Sequence, residues 1–184
     1  AEMSTTEFVA VLSDDDLFLP DHLETALRAL NTYPRAAYYS CTALTFGKGS
    51  PGEMRPLAIT DTETPTIYFP PQEAVSFLGM DTPGVLMSML CRREALQGNL
   101  FWGKSGYIPV DLLVMTQLMA QGGFVFGNRA TACYRYHEAN TSLTAKNKLA
   151  RVRLSCMTWF SIRYLAQFLL ERRLCTLKDI ETHG

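Results

Sequence analysis

No apolar run in this 184-residue chain reaches the roughly 20 residues that a membrane-crossing helix needs. The opening AEMSTTEF lacks the basic and apolar regions of a secretory signal. Cysteine is sparse: Cys41, Cys91, Cys133, Cys156 and Cys175 are odd in number, and no two stand close together. That spacing argues against a disulfide framework and a thiolate zinc site, and points to buried free thiols in a reducing compartment. Neither sign of charge dominates. The net is −1, so the overall field gives no reason to expect a nucleic-acid partner. Internal repeats and low-complexity segments are missing too. A cytoplasmic protein is the expectation.

What is present is a globular composition. Hydrophobic residues make up 47% of the chain, enough for one packed domain with a short extension. The run EFVAVL over 7–12 stops at Ser13 and three aspartates, which predicts a buried strand. Leu23, Ala26, Leu27 and Leu30 then recur at helical spacing. Pro20 suits the first helical position, and Asp21 and Glu24 suit the first turn.

Residues 36–44 (AAYYSCTAL) read as a second strand. Over 46–66 periodicity is lost and glycine and proline gather, so a long loop or an irregular ribbon is expected there. A short helix over 71–78, a third buried strand over 85–91 and a helical turn over 92–97 follow. Residues 99–107 (NLFWGKSGY) suit a mobile loop with aromatic side chains. A helix over 111–121 presents Leu112, Met115, Leu118 and Met119 on one face and stops at Gly122-Gly123. A strand falls within 124–136, and a long helical region, basic and apolar together, covers 144–173. This alternation favours an α/β sheet fold.

Asp14, Asp15 and Asp16 need a reason to stand side by side. Adjacent like charges repel and raise one another's pKa. A hard divalent cation such as Mg²⁺ or Mn²⁺ removes that cost, and it commonly combines one or two carboxylates with substrate phosphates. The carboxyl end of a sheet strand is where open α/β folds bind ligands. Two other readings stay open. One is a solvated turn with Asp16 as a helix N-cap. The other is a phosphatase-type motif with the first Asp as nucleophile, although Leu17-Phe18 replaces the small turn expected there.

The stretch EFVAVLSDDDLFLPDHLETALRALNTYP resembles the central segment of family 2 glycosyltransferases of the GT-A fold, in particular inverting SpsA-like enzymes of surface polysaccharide synthesis. Tyr107-Ile108-Pro109-Val110-Asp111 resembles the place where that family carries its catalytic Asp at a helix head. Tyr134-Arg135-Tyr136-His137 resembles its closing Tyr-Arg-x-His segment. The resemblance covers roughly 5–142. It implies a GT-A-type mixed sheet flanked by helices, with residues 1–142 as its acceptor-side part and 143–184 as a helical extension.

The same likeness implies a metal-dependent transferase, with a Mg²⁺ or Mn²⁺ ion and a nucleotide-sugar donor, a UDP-sugar before others. Asp14 and Asp15 match the aspartates that meet the ribose and the metal, and Arg135 would meet phosphate. Asp15, Asp16 and His137 form the implied metal set, with Asp16 as a supporting group or a cap. Asp111 matches the general base. Trp102 and Tyr107 are candidates for a saccharide or lipid-linked acceptor. Asp111 read alone is equally a helix cap, His137 a structural histidine and Trp102 a packing residue.

The family carries a nucleotide-binding half before this segment, and nothing in the sequence matches it. That half is expected upstream in a longer protein, on another chain, or lost. A non-catalytic glycosyltransferase-like binding module is therefore the alternative reading. The basic, apolar helix over 146–173 is expected either to lie peripherally on an anionic membrane or to pack on the domain or on a second subunit.

Overall fold

The computed structural model describes residues 5–48, 53–54, 66–79, 84–97, 110–137 and 148–183. They form a mixed α/β fold around one sheet. The strands are β1 (Phe8–Ala10), β2 (Leu17–Phe18), β3 (Tyr38–Phe46), β4 (Glu53–Met54), β5 (Thr66–Phe69), β6 (Leu90–Arg92) and β7 (Phe124–Arg135). The helices are α1 (His22–Thr32), α2 (Arg93–Leu96), α3 (Val110–Gly122), α4 (Lys148–Glu171) and α5 (Leu177–His183), with 3₁₀ segments at Pro71–Gly79 and Leu86–Ser88.

Two long strands organise the sheet. β3 and β7 run parallel, from Tyr38 beside Phe124 to Phe46 beside Arg135. The register slips between Cys41 and Ala43, where β7 advances from Gly127 to Ala132 and so bulges outward. Each of the pair serves two neighbours in turn. β3 pairs with β6 through Tyr38 and Tyr39, then with β4 through Ala43 and Leu44. β7 pairs with β5 over Phe124–Gly127, then with β2 through Ala132 and Cys133. β1 closes the far edge against β6.

Side chains alternate across this pair, as strand geometry requires. Tyr38, Phe124 and Phe126 face one core with α3, α4, Met89 and Cys91. Tyr39, Cys41 and Val125 face the other with α1 and Leu90. Helices thus cover both faces. α4 enters the first core through Leu165, Ala166 and Leu169.

Several expectations change. The strand after Glu7 is three residues long and half-buried, because it forms the sheet edge rather than its interior. Helix α1 begins at His22, so Pro20 lies before it. Asp21 makes no cap bond and instead pairs with Arg129 at 2.6 Å. The expected strand over 85–91 splits. Ser88 Oγ accepts from the Cys41 N–H at 3.0 Å and donates to Val85 O at 2.8 Å, which holds a 3₁₀ turn ahead of β6. Within the loop or irregular ribbon expected over 46–66, Glu53–Met54 is a strand, β4, paired with β3. Helix α3 is buried throughout 112–120, Thr116 and Gln117 included, because α4 covers the side turned away from the sheet. All five cysteines are free. Only Cys41 and Cys91 are fully buried, and Cys156 is exposed on α4.

Candidate functional site

β3 and β7 end side by side, and β2 starts at the same end because it runs antiparallel to β7. The three aspartates lie on the connection from β1 to β2. They therefore sit off the carboxyl ends of the two parallel strands, at the tip where the last residues of β7 arrive.

The three carboxylates have different environments. Asp14 is exposed. Asp15 Oδ2 lies 2.8 Å from His137 Nε2, with both side chains about one-third exposed, at 33% and 39% respectively. Asp16 is buried, and its Oδ1 accepts the backbone N–H of Arg135 at 2.9 Å. The Arg135 side chain reaches the other way, donating through Nε to the Asp15 carbonyl oxygen at 2.9 Å. Its guanidinium also lies 5.1 Å from the centre of the Phe46 ring. Arg135 and His137 thus bind the aspartate segment across about 120 residues of sequence.

Electrostatics separates the neighbours. The His137 hydrogen bond holds the Asp15 carboxyl below its ordinary value, with the charges of His137 and Arg135 assisting. Burial pushes Asp16 above its ordinary value, and the charge on Asp15 adds to the rise, while the Arg135 N–H and the Ser13 hydroxyl pull it back.

As donors for a divalent cation, Asp15 and His137 fit. They are adjacent, partly exposed and able to leave the remaining coordination positions to phosphate and water. Asp16 fits poorly, since its buried carboxylate is committed to the Arg135 amide. Among the described residues no group of three His, Cys, Asp or Glu side chains converges as a metal site.

Asp111 lies in the first turn of α3 rather than at its cap position, and its Oδ1 accepts the Leu112 N–H at 3.0 Å. No hydrogen bond or ion pair among the described residues joins it to the Asp15 cluster. Trp102 and Tyr107 lie outside the described residues.

Two contributors carry no sequence motif. Phe46 supports the Arg135 guanidinium, and its carbonyl oxygen accepts the Tyr136 N–H at 2.7 Å. Gly47 has φ +105°, and a Cβ there would overlap the Tyr136 carbonyl oxygen. The legible signal was the glycine itself, at the end of an apolar strand pattern. Behind β2, His22 is fully buried and stacks on Phe18, its Nδ1 2.8 Å from Thr131 Oγ1. Burial holds this histidine below its ordinary pKa, so it is a neutral core group.

No protein-family model matches the chain, and no curated protein matches it.

Proposed function

We propose that the chain is the acceptor-side part of a GT-A-type, inverting glycosyltransferase that moves a sugar from a nucleotide diphosphate to a saccharide or lipid-linked acceptor. One observation supports this above the rest. Two motifs that resemble separate landmarks of that family, the aspartate triplet and Tyr-Arg-x-His, meet through the 2.8 Å contact of Asp15 with His137.

In this reading Asp15 and His137 hold a divalent cation, which when bound offsets the charge growing on the leaving diphosphate. Arg135 lies beside them, donating to the Asp15 carbonyl oxygen, and its guanidinium charge meets phosphate oxygens. Asp16 fixes the position of both segments by tying the Arg135 amide to the triplet. Asp111 takes the proton of the acceptor hydroxyl as that oxygen bonds to the anomeric carbon and the carbon–phosphate oxygen bond breaks. An ordinary carboxylate suffices, because Asp is ionised at neutral pH. The buried commitment of Asp16 favours the second reading, a glycosyltransferase-like module that binds a partner or sugar without turnover, since among the described residues it leaves two close donors for the ion.

The test is calorimetric titration of Mn²⁺ and then of UDP-sugars into the protein, alongside a transfer assay. Asp15→Ala is expected to weaken Mn²⁺ binding at least about tenfold, the loss of one charged ligand. Asp111→Asn is expected to keep donor binding and lose turnover. Metal affinity unchanged in Asp15→Ala would reject the site. Donor binding without turnover, in the chain joined to its upstream sequence, would select the non-catalytic module.

A further inference from the structure

Among the described residues, helix α4 buries one side and exposes the other. Thr158, Ser161, Leu165 and Leu169 face the protein. On the opposite side Val152, Trp159 and Phe160 are 51%, 56% and 64% exposed. Positions 152, 156, 159, 160 and 163 follow helical spacing, so these side chains form a continuous stripe. Trp159 and Phe160 pack edge to face, and the Arg163 guanidinium lies 5.7 Å from the centre of the Trp159 ring. Two adjacent large aromatics held open to water in this way mark an interaction surface rather than scattered surface apolarity.

Charge selects the occupant. Of the chain's 17 Lys and Arg, six fall within 148–173, namely Lys148, Arg151, Arg153, Arg163, Arg172 and Arg173; that segment holds one of the 18 acids, Glu171. A chain with a net charge of −1 has therefore concentrated positive charge on the helix that carries these exposed aromatics, four residues on α4 and two just after it. Each basic residue near an anionic leaflet adds to attraction, and Trp and Phe insert at headgroup depth. Among the described residues no helix is long and apolar enough to cross a bilayer, so the contact is one of lying along its surface. The helix is roughly 36 Å long at 1.5 Å per residue, long enough for an extended contact of that kind.

We propose that α4 lays its Val152, Trp159, Phe160 and Arg163 side on an anionic phospholipid surface. This surface is separate from the Asp15 cluster, and the assignment does not depend on the transferase reading.

The protein is mixed with vesicles of phosphatidylcholine alone, or of equimolar phosphatidylcholine and phosphatidylglycerol, and pelleted. Binding is expected to the anionic vesicles only and is expected to be released by salt. Replacing both Trp159 and Phe160 with serine, or Arg163→Glu alone, is expected to lower the partition coefficient by at least about tenfold. Unchanged thermal midpoints would show that these exposed positions leave folding intact. In Trp102→Phe protein Trp159 is the remaining tryptophan, and its emission is expected to shift to the blue on anionic vesicles. Absence of pelleting, equal pelleting on both vesicle types, or undiminished binding by the variants overturns the proposal. So does a concentration-dependent dimer that the double serine variant dissociates in the absence of any vesicle binding, which would assign the stripe to a second copy of the chain.

Discussion

Asp15 and Asp16 are chemically identical neighbours that the fold puts to opposite uses. Asp16 is a buried acceptor for one backbone N–H. Removing it in Asp16→Ala leaves that amide unsatisfied, at a cost of about 1–3 kcal/mol in chemical denaturation. Asp16→Asn keeps a carbonyl acceptor without a charge and is expected to cost less. The sign of the pH dependence follows from the raised folded pKa of Asp16. Its ionised form opposes folding, so the penalty is full above that raised value and fades as pH falls through it. The cost of Asn relative to Asp should therefore be smallest at neutral pH and grow in acid. An Asn variant as unstable as the Ala variant would show that the position needs its charge. Asp15 behaves inversely. Its folded pKa lies below the ordinary 3.8, so its stabilising share is present above that value and is lost as pH falls through the depressed one. The stability gap between wild type and Asp15→Asn should accordingly close in acid. A gap that persists well below the depressed value would mean the His137 contact is not what stabilises the charged form.

At the scale of elements, the ends of β3 and β7 are locked by Gly47. Its positive φ and the nearby Tyr136 carbonyl leave no room for a side chain. Gly47→Ala is expected to destabilise by roughly 1–3 kcal/mol and to loosen the Tyr136–His137 segment. Thermal melts, with His137 followed by its imidazole NMR signal, measure both effects. An unchanged His137 signal in a destabilised protein would separate the turn from the site. The legibility of elements follows their length and burial. Helices α1 and α3 and strands β3 and β7 carry enough apolar positions to show a period, and they lie close to where the pattern places them. β2 and β4 are two residues each, too short to carry any period, and exist because β7 and β3 offer them backbone partners. The split at 85–91 was hidden because Val85, Leu86, Met87, Met89 and Leu90 read as one apolar run, while the side-chain bonds of Ser88 set the turn. At the site, the family resemblance pointed to Asp15, Arg135 and His137, which the fold brings together. It set Asp16 apart as a supporting group or a cap but gave no sign of its burial, because burial at the tip is a property of the β2–β7 pairing. Phe46 was likewise hidden, since its role depends on the parallel register that puts it beside Arg135.

For the whole molecule, that architecture sets a gradient of stability that runs toward the site. β3 and β7 are flanked on both edges and covered on both faces over Tyr38–Cys41 and Phe124–Phe126, where every side chain is buried. Opening those amides to solvent requires both cores to part, so their hydrogen exchange should approach the global unfolding limit. Among the described residues β1 is a three-residue edge strand paired on one side only, and β2 contributes two residues. Their amides should exchange through local opening at much lower free energy. The aspartate connection joins these two weakly held strands, whereas Arg135 ends the strongly held β7 and His137 follows it closely. One half of the site is therefore rigid and the other is free to adjust. A bound ion and diphosphate, which would grip both halves, should slow exchange at 8–18 while leaving Tyr38–Cys41 unchanged. Native-state exchange with and without Mn²⁺ and a UDP-sugar measures this difference. Protection that rises equally in β3 and β1 would mean that the ligand acts on global stability and does not bridge the Asp15 segment to β7.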